Sequence, residues 1–508
     1  MDPVTLQVMI GGLRAACDEM GATLIRSAYS ANVKERRDCS TALFDAKGEL
    51  VMQAEHIPVH LGSMPDAVAA VLGEEHRPGL AWILNDPYRG GTHLPDITLI
   101  SPVFVAGELF GFAACRAHHA DVGGPTPGGL PAHSRTLEEE GVVIPPTAVE
   151  GDVIEQLAAR MRAPRQRLAD LRAQAAANRI GELRLVELAE RHGRDRLREG
   201  MDEILAYAER RTRAALRALP DGTYAAEDVL EDDAGGPPRD ATLRVEATID
   251  GDRLRLDFAG TDPEVEGNLN CPLSVTKSAA YFAVRALTDP DAPPSAGAHR
   301  PIEVLAPEGC LLNARFPAAV AAGNVETSSR VADLVVAALG GARPVPAQGQ
   351  GTMNNLTLAN DDFTYYETIG GGQGACPDAA GPSAIHVAMS NTLNTPVEAL
   401  ESEFPLRVRE LALRRESGGE GRHRGGDGMA RELEALAPMR YTLLTERRRH
   451  LPAGRDGGAD GATGRNLLNG EPLPSKAEGA LEPGDRLRIE TPGGGGYGEK
   501  GDGFAKNT

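Results

Sequence analysis

Two apolar runs that meet at a single two-residue turn constrain this fold more than any other feature of the chain. Residues 97–105 and 108–115 read as strands, and Ala106-Gly107 between them reads as a hairpin turn. An antiparallel pairing about that turn sets Asp96 against His118 and brings His93 to the same open end. Two imidazoles and a carboxylate within reach of one point suit Zn, Mn or Fe(II). Such a set leaves room for a water whose pKa a bound metal lowers. Each histidine taken alone reads first as a solvated or hydrogen-bonded side chain. The joint register is what favours a metal.

A second hairpin is predicted upstream, with strands near residues 40–44 and 49–53 around Asp45-Ala46-Lys47-Gly48. Its turn centre would set Asp38 opposite Glu55 and His56, with His60 four residues further on. His56 and His60 read as loop scaffolding or substrate contacts rather than as metal ligands. Asp38 alone reads as a strand-capping carboxylate. His119 and Asp121 follow His118 closely and are candidate proton carriers.

The flanking pattern predicts a mixed α/β (α+β), multi-domain chain. Leu6, Met9, Ile10, Leu13, Ala16, Cys17 and Met20 recur at helical spacing. Residues 151–219 are rich in Ala, Leu, Arg and Glu, with an interruption at Ala163-Pro164. They predict two or three amphipathic helices, suited to packing on a partner chain. Leu243, Val245, Ala247 and Ile249 alternate with polar residues up to Asp250-Gly251, after which Leu254, Leu256 and Phe258 resume: an antiparallel hairpin. Residues 288–300 read as an exposed loop. The last third reads as strands and ordered glycine turns. The expected regions are a metal-binding region at 1–150, a helical segment at 151–219, a middle α+β region at 220–340 and a Gly-rich, mostly β region at 341–508.

Composition closes off several functions. The formal net charge is -20 over 508 residues, and no Lys/Arg cluster stands clear of acidic neighbours. That argues against nucleic acid or an anionic membrane as partner. The six cysteines are scattered without a C-x-x-C pair, as expected of reduced thiols in a cytoplasmic protein. No signal peptide or membrane span is expected. The glycine runs at 370–374 and 493–498 lack the Lys-[Ser/Thr] of a P-loop. Close backbone packing or positive-φ turns explain them better than ATP binding.

The motifs themselves resemble the hydantoinase B/oxoprolinase family. The similar stretches include RSAYSANVKERRDCSTALFD at 26–45, AEHIPVHLGSMPDAV at 54–68, NDPYRGGTHLPDIT at 85–98 and RAHHADVGG at 116–124. They continue with NVETSSRVAD at 324–333, YYETIGGGQGA at 365–375, NTLNTPVEALE at 391–401, SGGEGRHRGGDG at 417–428 and TPGGGGYG at 491–498. One departure stands out. Relatives tend to read His-x-His-Met before Asn-Thr, and here Ala388 stands where they have the second histidine.

The resemblance implies a divalent metal, Zn or Mn, at Asp38, His93, Asp96 and His118. Asp38 joins the set by the likeness alone. His119 and Asp121 then become proton-transfer or supporting residues. The resemblance further implies a hydantoinase A-type partner of actin-like fold that binds ATP and phosphorylates the substrate, with no ATP bound on this chain. The expected reaction is opening of a hydantoin, oxoproline or lactam ring by a metal-bound hydroxide. Two alternatives are a subunit of an ATP-dependent ketone carboxylase of the acetone/acetophenone type and a non-catalytic assembly subunit.

Overall fold

A computed structural model describes residues 1–55, 57–232 and 239–500. The first helix starts where the sequence provides a cap. Pro3 occupies the first turn, where its missing N–H costs nothing, and Asp2 accepts a hydrogen bond from the Thr5 amide at 2.9 Å. The helix runs Pro3–Ser27 and buries Leu6, Met9, Ile10, Leu13, Ala16, Cys17 and Met20, the face the periodicity marked.

Six antiparallel strands form the first sheet. They are β1 (Cys39–Asp45), β2 (Leu50–Glu55), β3 (Ala81–Leu84), β4 (Asp96–Val105), β5 (Glu108–His118) and β6 (Thr147–Val149), in the order β2-β1-β5-β4-β3-β6. One face is covered by the first helix and by the helix Pro164–His192. The other face buries Phe44, Leu50, Trp82, Leu84, Ile100 and Phe112. Both faces are covered, so the strands are buried along most of their length rather than alternating between buried and exposed.

The expected helical region at 151–219 consists of helices Val153–Ala159, Pro164–His192 and Arg194–Arg217. Its long middle helix packs on its own sheet. Gln174 and Asn178 donate from it to the carbonyls of Ile97 and Leu99, both at 2.9 Å.

The predicted middle hairpin is present as Arg239–Asp250 and Arg253–Asp257, with Asp250 paired to Arg253 and Gly251 at φ +58°. It belongs to a four-stranded sheet covered by helices Leu273–Thr288 and Ser328–Leu339. Residues 288–300, expected as an exposed loop, are largely packed. Ala292, Ser295 and Ala298 are buried, and a short helix, Ala296–His299, lies against the helix Arg194–Arg217.

From Asn355 onward, strands of four- and five-stranded sheets share one core that includes Leu356, Tyr365, Leu433, Leu443 and Ile489. Backbones beside that core touch without intervening side chains. A Cβ built on Gly494 would lie 2.1 Å from the carbonyl oxygen of Gln373, and one on Gly372 would lie 2.1 Å from that of Gly426. Of the two roles expected for these glycines, close packing applies: within 370–374 and 493–498 only Gly498 has positive φ. No helix among the described residues is long and apolar enough to cross a membrane.

Candidate metal centre

The β4–β5 hairpin delivers the expected juxtaposition. Asp96 and His118 are direct cross-strand partners. His93 reaches them through the tight turn in which the Asp96 amide donates to the His93 carbonyl at 3.1 Å. His93 Nε2, His118 Nδ1 and Asp96 Oδ1 form a nearly equilateral triangle, each pair 3.2 Å apart. Ligand atoms about 2.0–2.1 Å from one tetrahedral ion stand about 3.3 Å apart, so the triangle matches that spacing. All three residues are buried.

Hydrogen bonding from outside the triangle reaches only its outer atoms. Asp96 Oδ2 accepts from Thr92 Oγ1 at 2.7 Å and Asn324 Nδ2 at 3.3 Å, and faces His60 Nε2 at 3.4 Å. Asp96 Oδ1 has no hydrogen-bond partner despite its burial. His93 Nδ1 faces the Ala321 carbonyl at 3.4 Å, which leaves the lone pair on Nε2, toward the centre. A buried carboxylate oxygen facing two imidazole nitrogens needs a proton or a cation among them. The donor set of two imidazoles and a carboxylate fits Zn or Mn.

Charges agree with that arrangement. Burial opposes protonation of His93, but the Asp96 carboxylate outweighs it and raises the pKa. Burial likewise opposes ionisation of Asp96, and the adjacent His93 and His60 overcome it, holding the carboxyl well below its usual range.

Asp38 is beside the triangle rather than in it. Its Oδ2 lies 4.0 Å from His118 Nδ1, and its carbonyl accepts from the His118 amide at 3.1 Å. The predicted pairing with Glu55 does not occur. Glu55 pairs with Ser40, because a bulge at Leu43/Phe44 shifts the register and Asp38 precedes the strand.

The structure places three other expected residues beside the triangle. His60 is buried and lies between Ser40 Oγ at 3.0 Å and Asp96 Oδ2 at 3.4 Å, where it supports the carboxylate. His119 turns toward Gln174 Oε1 at 2.9 Å, and burial pushes its pKa down to about 4. Asp121 accepts from the amides of Gly123 and Gly128, both at 2.7 Å, and so fixes the loop after β5. Neither His119 nor Asp121 shares a hydrogen bond with the triangle among the described residues. The remaining candidate, His56, lies outside the described residues.

Several neighbours were not singled out in sequence. Tyr366 stacks on His118, with centroids 4.6 Å apart and planes 12° from parallel. The turn Gly323–Thr327, a single turn of π-helix, supplies Asn324 to Asp96 and buries Glu326, whose pKa burial raises to about 8. Their signal lay in the motifs at 324–333 and 365–375, which carried the resemblance without suggesting a role for any one residue.

Sequence comparison places the chain in a known family. The profile described as hydantoinase B/oxoprolinase matches residues 2–500, and the chain belongs to that family. It is 38% identical over 539 residues to 5-oxoprolinase 1 of Arabidopsis thaliana, covering 98% of this chain and 42% of that protein. The chain thus spans about two fifths of that relative. It is 32% identical over 536 residues to the B-type subunit of a putative D-/L-hydantoinase of Pseudomonas sp. (strain NS671), covering 98% of this chain and 90% of the relative. Among solved structures, the ATP-dependent caprolactamase from Pseudomonas jessenii superposes with a TM-score of 0.92 at 31% identity, covering 98% of this chain and 91% of that one.

Proposed function

We propose that this chain is the B-type component of an ATP-dependent cyclic-amide hydrolase that opens a hydantoin, oxoproline or lactam ring. The observation that carries the reading is the triangle of His93 Nε2, His118 Nδ1 and Asp96 Oδ1, with the Asp96 oxygen lacking any hydrogen-bond partner. These three would hold a divalent ion, Zn or Mn, with Asp38 as a fourth group at its side. The ion would supply Lewis acidity and an activated water.

The chain's own residues do the rest. Thr92, His60 and Asn324 keep the Asp96 carboxylate turned inward. Tyr366 and the surrounding core exclude bulk water, which strengthens every electrostatic contact inside. Proton transfer is assigned to neither His119 nor Asp121, since both are engaged elsewhere.

ATP enters through chemistry. An unstrained amide is a poor electrophile, and each 1.36 kcal/mol of barrier left standing costs tenfold in rate. The glycine runs here are occupied by their own backbones, so activation falls to a partner of hydantoinase A type. The names of the relatives support this: one is the B-type subunit of a putative D-/L-hydantoinase and another an ATP-dependent caprolactamase.

Co-expression with the hydantoinase A-type partner, followed by size-exclusion chromatography and a ring-opening assay on hydantoin, 5-oxoproline and caprolactam, tests the reading. The expected result is a stable hetero-oligomer whose turnover requires ATP. Full-rate turnover by this chain alone without ATP would replace it with a stand-alone hydrolase. Incorporation of labelled bicarbonate into product would make it part of a carboxylase.

A further inference from the structure

All three corners of the metal triangle are steadied by one short segment far away in sequence. The Ala321 carbonyl meets His93 Nδ1 at 3.4 Å, and Asn324 Nδ2 donates to Asp96 Oδ2 at 3.3 Å. The third contact is indirect. Glu326 Oε1 accepts from Asn355 Nδ2 at 2.7 Å, Asn355 Oδ1 accepts from the Tyr366 hydroxyl at 2.8 Å, and the Tyr366 ring lies flat on His118.

His118 needs that third contact. A metal-bound imidazole ordinarily fixes its plane by donating its other N–H to a carbonyl or carboxylate. His93 has such a partner in Ala321. His118 does not: its Nε2 is buried with no hydrogen-bond partner. What fixes its plane is the stacked tyrosine, and what fixes the tyrosine is the Asn355–Glu326 pair. Asn355 cannot turn over, because its Nδ2 also donates to the Leu444 carbonyl at 2.9 Å. The segment is itself constrained. It includes the π-helical turn, and π-turns concentrate at functional sites. Gly323 rests so close to Asn270 that an added Cβ would lie 1.9 Å from the Asn270 carbonyl oxygen.

We infer that residues 321–326 form a clamp that orients the metal ligands, with Tyr366 acting as a positioning residue for His118 in place of the missing hydrogen bond. The inference rests on the metal reading above. Loss of one such supporting contact typically weakens metal binding roughly 10–100-fold.

The test compares the wild type with Asn324→Ala, Tyr366→Phe, Tyr366→Leu and His93→Ala, in full-length metal-free protein titrated with Zn²⁺ and with Co²⁺. Tyr366→Phe keeps the stacked ring and removes one oxygen atom, so it preserves the core. The expected result is that Asn324→Ala and Tyr366→Leu bind Zn²⁺ roughly 10–100-fold more weakly. Tyr366→Phe is expected to fall in between and to shift the visible absorption of bound Co²⁺, with metal-free melting lowered only by the loss of its hydroxyl's hydrogen bond to Asn355. If Asn324→Ala and both Tyr366 variants bind as tightly as the wild type, with the same Co²⁺ spectrum, the clamp is refuted while the metal site stands. If His93→Ala also binds as the wild type does, the metal reading itself is refuted. Affinity and Co²⁺ spectrum unchanged in both Tyr366 variants, whatever happens to metal-free melting, would make the tyrosine purely structural.

Discussion

Asp96 and His118 face each other directly across the antiparallel strands β4 and β5, and Asp96 Oδ1 approaches His118 Nδ1 to 3.2 Å. Asp96→Asn keeps the shape of that pairing but replaces an anionic acceptor with a neutral amide. Metal analysis of protein purified without chelator should find about one divalent ion per chain in the wild type and almost none in Asp96→Asn, His93→Ala or His118→Ala. Asp38→Ala, which removes a carboxylate 4.0 Å from His118, should weaken binding without abolishing it. Full occupancy in both histidine variants would refute the assignment.

Acid should destabilise the metal-free protein through His119. Unfolded, this residue takes up a proton as pH falls through about 6.5. Folded, it resists until about 4, because burial disfavours the charge. Between those values the unfolded state binds more protons, so stability is present above pH 6.5 and declines toward pH 4. Urea unfolding at pH 7, 5.5 and 4.5 should show that decline, and His119→Gln should flatten part of it. A slope unchanged in the variant would point to other groups.

Arg330 is buried and donates to Glu446 Oε2 at 2.6 Å, with Asp228 Oδ1 at 3.4 Å. Removing one partner of such a pair strands a charge where water cannot reach it. Arg330→Met should cost about 3–5 kcal/mol in chemical denaturation. A cost below 1 kcal/mol would mean that the pocket admits water.

The glycine array predicts two outcomes. Gly494→Ala places a methyl group 2.1 Å from the Gln373 carbonyl oxygen, a contact that only backbone displacement relieves. It should lower stability by about 4 kcal/mol or more and reduce the soluble yield. Calorimetry on the isolated wild-type chain should detect no ATP binding, and micromolar affinity would move the kinase step onto this chain.

The legible part of the site was local. A two-residue turn and two apolar runs set the β4–β5 register, and with it Asp96, His118 and nearby His93. The upstream hairpin was misread because a bulge at Leu43/Phe44 is invisible in a pattern of apolar residues. Side-chain direction was equally hidden. His118 and His119 are neighbours in sequence, yet one faces Asp96 and the other Gln174. Asn324 and Tyr366 escaped notice because they reach the site from more than 200 residues away, and no periodicity records such a distance. In the middle region the alternation of Leu243, Val245, Ala247 and Ile249 was a direct guide, because that strand has one wet face.

The separation between the ligands and the segment that steadies them also orders events during synthesis. A ribosome that has produced the first sheet has released His93, Asp96 and His118, but not Ala321, Asn324 or Tyr366. A nascent chain at that stage owns every corner of the triangle and nothing that holds the corners in place. If the triangle holds an ion, its high-affinity capture would belong to the period after the π-helical turn and the strand Thr364–Glu367 have emerged. Metal supply would then act on a nearly finished polypeptide, and its scarcity would leave a folded, empty protein rather than a stalled one.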